Sequence, residues 1–189
     1  MRYYLAGGRP PGSARTHPGC RDRADPVRSV PVELPGALYF ATESPVWTGG
    51  RAFYDPGGGG RVWARAHLVT AGQFSDIAAQ EMYRAPGTDL DLGPAVTGGR
   101  DSLGPGRYET LVCPGFLAGL PVLTFTAPWG RDDVEWVAPA GGYLRWLASG
   151  LLSAGAWRAP AVARYLSRAP GAAGHWSPGE IARLLEDGS

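Results

Sequence analysis

Across residues 70–83, TAGQFSDIAAQEMY, apolar side chains fall at Phe74, Ile77 and Ala78 with Glu81 next in the series. That i, i+3, i+4, i+7 spacing places all four on one helical stripe. Thr70 and Gln73 have the spacing of a capping box, so the helix is predicted to start at about Ala71. Immediately upstream, Val62 to Val69 alternates as a strand, with Val62, Ala64, Ala66 and Leu68 on one face and Trp63, Arg65, His67 and Val69 on the other. The strand runs straight into the helix that carries Glu81. Apolar runs at 37–41 and 51–54 predict two more strands, and Gly49 and Gly50 before the second suit a turn or a close backbone approach. Runs at 107–113 and 121–127 predict another pair, joined as a hairpin through PGFLAGL.

The C-terminal third reads as helical. Tyr143, Leu144, Leu147 and Leu151 form one stripe, and Pro160 suits the first turn of a helix continued by Val162, Tyr165 and Leu166. Ser177, Pro178 and Glu180 supply the cap, first position and capping-box partner of a last helix with Ile181, Leu184 and Leu185 inward. Residues 1–36 show no sustained period and read as irregular with one short strand, and residues 85–106 read as a Gly/Pro/Asp-rich loop. Strands, one helix, more strands and then helices, without a βαβ rhythm, predict an α+β fold. The expected form is a small mixed, mostly antiparallel β-barrel or sheet with flanking helices. All 189 residues suit a single domain, with 1–36 irregular and 139–187 helical.

Composition narrows the chemistry. A formal net charge of +1 argues against a dedicated nucleic-acid surface or a polybasic membrane surface. Neither a signal peptide nor an apolar run long enough to span a bilayer is found, so the expectation is a cytoplasmic protein. Every basic side chain is arginine, and without lysine there is no P-loop, Schiff-base or Ser-Lys chemistry. The glycines at 57–60 lack the Lys-Ser/Thr of a phosphate cradle and read as a loop between strands.

Cys20 and Cys113 are too few for a disulfide framework. His17 and Cys20 are close in sequence, but a catalytic pair is defined by geometry that the sequence does not contain. His17, His67 and His175 have no zinc-site spacing, and Asp132, Asp133 and Glu135 lack the glycine turn of a calcium loop and read as solvated. No metal or cofactor is expected. The nucleophile-elbow pattern GxSxG is absent, which leaves proton transfer by Glu81. Either this carboxylate faces the core, where burial raises its pKa and suits it to acid/base work, or it turns outward and pairs with Arg84.

The order of pieces resembles the gamma-glutamylcyclotransferase-like superfamily. The similarity is carried by VWTGGRAFY at 46–54, VWARAHLV leading to AQEM at 79–82, RYETLV at 107–112, VLTFTAP at 122–128 and APAGGYLRWLASGLLSAG at 138–155. It covers residues 37 to 168, approximately. The resemblance implies a small mixed barrel with flanking helices, Glu81 as the catalytic acid/base, and Tyr108 and Tyr143 lining a substrate pocket. It also implies a metal-free reaction on a small-molecule gamma-glutamyl amine or amide. The substrate's own alpha-amine attacks the gamma-carbonyl, giving 5-oxoproline and the released amine.

The family normally opens with a strand and a Tyr-Gly-Ser-Asn loop that binds the glutamyl group, and no such motif is present. The opening MRYYLAGGRPPG is similar to the stretch downstream of that loop. It implies either a strand upstream or a member without the glutamyl cradle. The alternatives are therefore a non-catalytic small-molecule-binding module that has lost this loop, and a hydrolase of another amide bond in which Glu81 activates water.

Overall fold

A computed structural model describes residues 1–10 and 13–186. In chain order the elements are α1 (Arg2–Ala6), β1 (Arg28–Pro35), β2 (Ala37–Ser44), β3 (Gly49–Asp55), β4 (Arg61–Leu68) and α2 (Ala71–Glu81). They continue with α3 (Gly93–Gly98), β5 (Arg100–Ser102), β6 (Thr110–Leu117), β7 (Leu120–Thr126), α4 (Gly141–Leu152), α5 (Ala159–Ser167) and α6 (Pro178–Glu186). The fold is mixed α+β. Pro11 and Gly12 of the predicted irregular start, and Asp187 at the end of the predicted helical third, lie outside the described residues.

The strands form three small sheets, β1 with β4, β2 with β3, and β5-β6-β7, and no closed barrel is present among the described residues. This corrects the barrel half of the expectation. Closure needs a partner strand on both edges of every strand, and irregular backbone occupies that place beside β2. There the Phe40 N–H donates to the Pro170 carbonyl at 2.8 Å, and the Phe40 carbonyl accepts from the Val137 N–H at 3.1 Å.

The chain divides into two compact units, one of Met1–Ser29 with His67–Pro128, the other of Val30–Ala66 with Trp129 onward. In the second unit β2 and β3 pair antiparallel, Leu38 opposite Tyr54 and Phe40 opposite Ala52. Phe40 lies in a core with Leu144 and Leu151 of α4, Val162 and Leu166 of α5, and Ile181 of α6. Burying each such side chain contributes about 1.5–3 kcal/mol. The α6 capping box forms: the Ser177 Oγ accepts from the Glu180 N–H at 3.2 Å and the Ser177 N–H donates to the Glu180 carboxylate at 2.8 Å. Gly50 allows the close approach expected of it, since a Cβ there would run into the Val137 carbonyl.

In the first unit α1 packs on α2, and Leu5, Cys20 and Ile77 form a small core joined by Tyr4 and Phe125. β6 and β7 form the expected hairpin, but most of PGFLAGL is strand. Only Ala118 and Gly119 turn, both at positive φ (50° and 78°), as tight hairpins require. No helix among the described residues is long and apolar enough to cross a membrane.

Candidate functional site

α2 starts where the sequence places it. The Thr70 Oγ1 accepts from the Gln73 N–H at 3.1 Å, and the Thr70 N–H donates to the Gln73 Oε1 at 3.0 Å. Beyond the cap, the helix buries polar groups that fasten irregular chain. Gln73 donates to the carbonyls of Asp22 and Ala24. The Asp76 carboxylate accepts from the Arg21 backbone at 2.8 Å, the Arg21 Nε at 3.0 Å and the Gly87 N–H at 3.0 Å. Burial alone would raise its pKa, but the Arg21 and Gly87 donors outweigh that and hold the carboxyl below its usual value. Gln80 donates to the Tyr4 carbonyl at 3.1 Å and so ties α1 to the end of α2.

Glu81 is the last residue of α2 and is partly buried. Its Oε1 accepts a hydrogen bond from the Tyr4 hydroxyl. Burial pushes the carboxyl's pKa up, while the Tyr4 hydrogen bond and the Arg15 charge pull the other way. Arg84, the partner expected if Glu81 turned outward, pairs instead with Glu109. The inward reading of Glu81 is the one its contacts support.

The helix ends in a Schellman motif. The Arg84 N–H donates to the Ala79 carbonyl at 2.8 Å and the Tyr83 N–H to the Gln80 carbonyl at 3.2 Å. The position that normally takes glycine holds Tyr83, at φ 59°. Tyr83 is 57% exposed, and its ring carries two guanidinium groups, Arg15 at 4.2 Å and Arg107 at 5.8 Å from the ring centre. Arg15 also donates to the Gln80 carbonyl. Arg107 begins a turn whose next residues are Tyr108, edge-on to Phe125 at 6.2 Å, and Glu109, the Arg84 partner. Phe125 in turn lies 6.2 Å from Phe74 of α2.

The turn bearing Tyr108 is thus latched to the end of the helix that bears Glu81. Tyr143 belongs to the second unit. There it sits in the first turns of α4, accepts a hydrogen bond from the Ala52 N–H at 3.3 Å, and packs on Phe40 and Trp47.

His17 and Cys20 both lie beside Gln80. Burial, with the charges of Asp76 and Asp22, pushes the Cys20 thiol up to about 11, so it stays protonated and is no nucleophile at neutral pH. The buried His17 ring stands 4.4 Å from the Tyr4 ring, and burial together with Arg15 lowers its pKa. Among the described residues, no group of three or more His, Cys, Asp or Glu could hold a metal ion. Sequence reasoning missed Tyr4, Arg15 and Tyr83. Tyr4 lies 77 residues from Glu81 on a five-residue helix without a side-chain cap, so no local pattern marks it. No protein-family model, curated protein or solved structure matches the chain.

Proposed function

We propose that the chain is a gamma-glutamylcyclotransferase-like enzyme in which Glu81 is the general acid/base. The observation that carries this reading is the Glu81 carboxyl itself. It is partly buried at a helix end, raised in pKa, and engaged by the Tyr4 hydroxyl rather than by Arg84. A carboxyl poised nearer neutrality both takes and returns a proton, where an ordinary surface glutamate is a weak base and almost never an acid.

In the reaction Glu81 removes a proton from the substrate's alpha-amine, and the freed nitrogen attacks the gamma-carbonyl carbon. As the tetrahedral centre collapses, the bond to the departing amine breaks. Glu81 returns its proton to that nitrogen, leaving 5-oxoproline and free amine. Nucleophile and electrophile share one molecule, so holding the reactive conformer supplies much of the acceleration. Tyr4 keeps Oε1 occupied, which directs proton exchange to Oε2. Tyr108, on the latched turn, is a substrate-contacting tyrosine of this reading; Tyr143, to which the resemblance gives the same pocket-lining role, belongs to the second unit.

The test is 5-oxoproline formation from gamma-glutamyl amines by the wild type and by Glu81→Gln, which keeps the shape and loses the proton shuttle. The expected loss is about 10²–10⁴-fold. In the wild type kcat/KM should rise with pH through the raised Glu81 pKa, since the base form of the free enzyme begins the reaction. A folded wild type that forms no 5-oxoproline overturns the reading. The Tyr4 hydroxyl already on Glu81 favours a second reading, a binding module without catalysis. It predicts ligand binding with no product from either protein.

A further inference from the structure

Four arginines gather around α2, and they divide into two kinds. Arg21 pairs with Asp76 and Asp89, and Arg84 pairs with Glu109. Arg15 and Arg107 have no ion-pair partner among the described residues, yet both stand over the Tyr83 ring. Two like charges held against one aromatic ring repel each other, and cation–π attraction offsets that only in part. An anion between or beside them would satisfy both. Both arginine residues are also partly buried, and a less exposed setting makes such an anion more valuable than it would be at a fully exposed pair.

Their location indicates which anion. Arg15 is near enough to Glu81 for its charge to favour the carboxylate, and Tyr83 follows Glu81 by two residues. A substrate that presents an alpha-amine to Glu81 carries its alpha-carboxylate on the same carbon, one bond away. We infer that Arg15 and Arg107, aligned on the Tyr83 ring, form the binding site for the substrate's alpha-carboxylate. The arginines would supply charge-assisted, forked hydrogen bonds, and the site would select amino-acid-like substrates over amides that lack the carboxylate. This rests on the cyclotransferase reading for the identity of the ligand. The arginine pair itself does not depend on it.

The probes are 5-oxoproline and 2-pyrrolidinone, the same lactam ring with and without the carboxylate. Affinities are measured by calorimetric or NMR titration against the wild type, Arg15→Met, Arg107→Met and Arg107→Lys, with circular dichroism to establish folding. The wild type should prefer 5-oxoproline by at least about tenfold, the scale of one charge-assisted hydrogen bond. Each Met variant, which keeps an apolar stem, should lose most of that preference. Arg107→Lys should retain part of it, and added salt should reduce it in the wild type.

Equal affinity for the two probes, no binding of 5-oxoproline, or a preference that survives both Met substitutions would overturn the inference. If a Met variant misfolds, Arg107→Lys and the salt series decide: a preference that neither of them weakens overturns it equally. Arginine-dependent preference without any 5-oxoproline formation would sustain this site and sink the catalytic reading. Product formation with a KM unmoved by Arg107→Met would do the reverse.

Discussion

The helices of the two units bury different things. In the second unit α5 and α6 bury Val162, Leu166 and Ile181 around Phe40, an apolar set whose stabilisation is non-directional and scales with area. In the first, α2 buries Gln73, Ser75, Asp76 and Gln80 beside Ile77 and Ala78. Most of those polar groups bond to backbone outside the helix, at Asp22, Ala24, Leu90, Gly87 and Tyr4. Net, such bonds stabilise little, but leaving them unmade is costly, so they fix position more than they add stability. The apolar unit holds a fold together, whereas α2 holds irregular segments in register around Glu81.

The sharpest break of that contrast is Leu166→Ala. Leu166 is fully buried among α4, α5 and α6 residues, and its truncation should cost about 2–5 kcal/mol, read as a lowered urea midpoint. A loss under about 1 kcal/mol would mean that the second unit is not packed as a tight apolar core.

Asp76→Asn should cost less than this at neutral pH, but its effect should depend on pH as no core truncation does. The native Asp76 pKa is depressed, so its contribution is fully present above the unfolded carboxylate value and is lost as pH falls through the native one. Wild-type and Asp76→Asn stabilities should therefore differ near neutral pH and converge on acidification. Parallel curves would show that Arg21 and Gly87 do not favour the charged form.

What the sequence made legible obeys the same division. The capping boxes at Thr70–Gln73 and Ser177–Glu180 and the stripe of α4 were readable because they are built from residues three or four apart. α1, α3 and β5 were not, since five, six and three residues are too short for a period to emerge, and α3 opens on Gly93 and Pro94 within a loop-like composition. The sheet of β2 and β3 takes no further strand beside β2 because 136–137 and 170 occupy that edge, a pairing between distant segments that alternation does not encode. At the site, Glu81 could be singled out as a carboxylate in an apolar stripe. Its neighbours could not: Tyr4, Arg15 and Arg107 arrive from irregular chain or a single short turn of helix, and Arg84 lies within one turn of Glu81 yet pairs with Glu109.

Tyr83→Gly gives the smallest expected change in stability and the finest separation of the two roles. A non-glycine residue in the left-handed region costs about 1–2 kcal/mol, and glycine at the C-terminal position of a Schellman motif removes that strain. Against this gain stand the lost contacts with Arg15 and Arg107, each worth about 0.5–1 kcal/mol, and the greater chain entropy of unfolded glycine. The net should lie within about 1 kcal/mol of zero. The two arginines, however, lose their common platform, so the preference for 5-oxoproline over 2-pyrrolidinone should fall while the urea midpoint barely moves. If stability drops by clearly more than about 1 kcal/mol, the ring is part of what holds α2 in place, and the division between a holding unit and a positioning helix fails at this residue. If stability holds and the preference disappears, Tyr83 occupies a glycine position because of what its ring aligns.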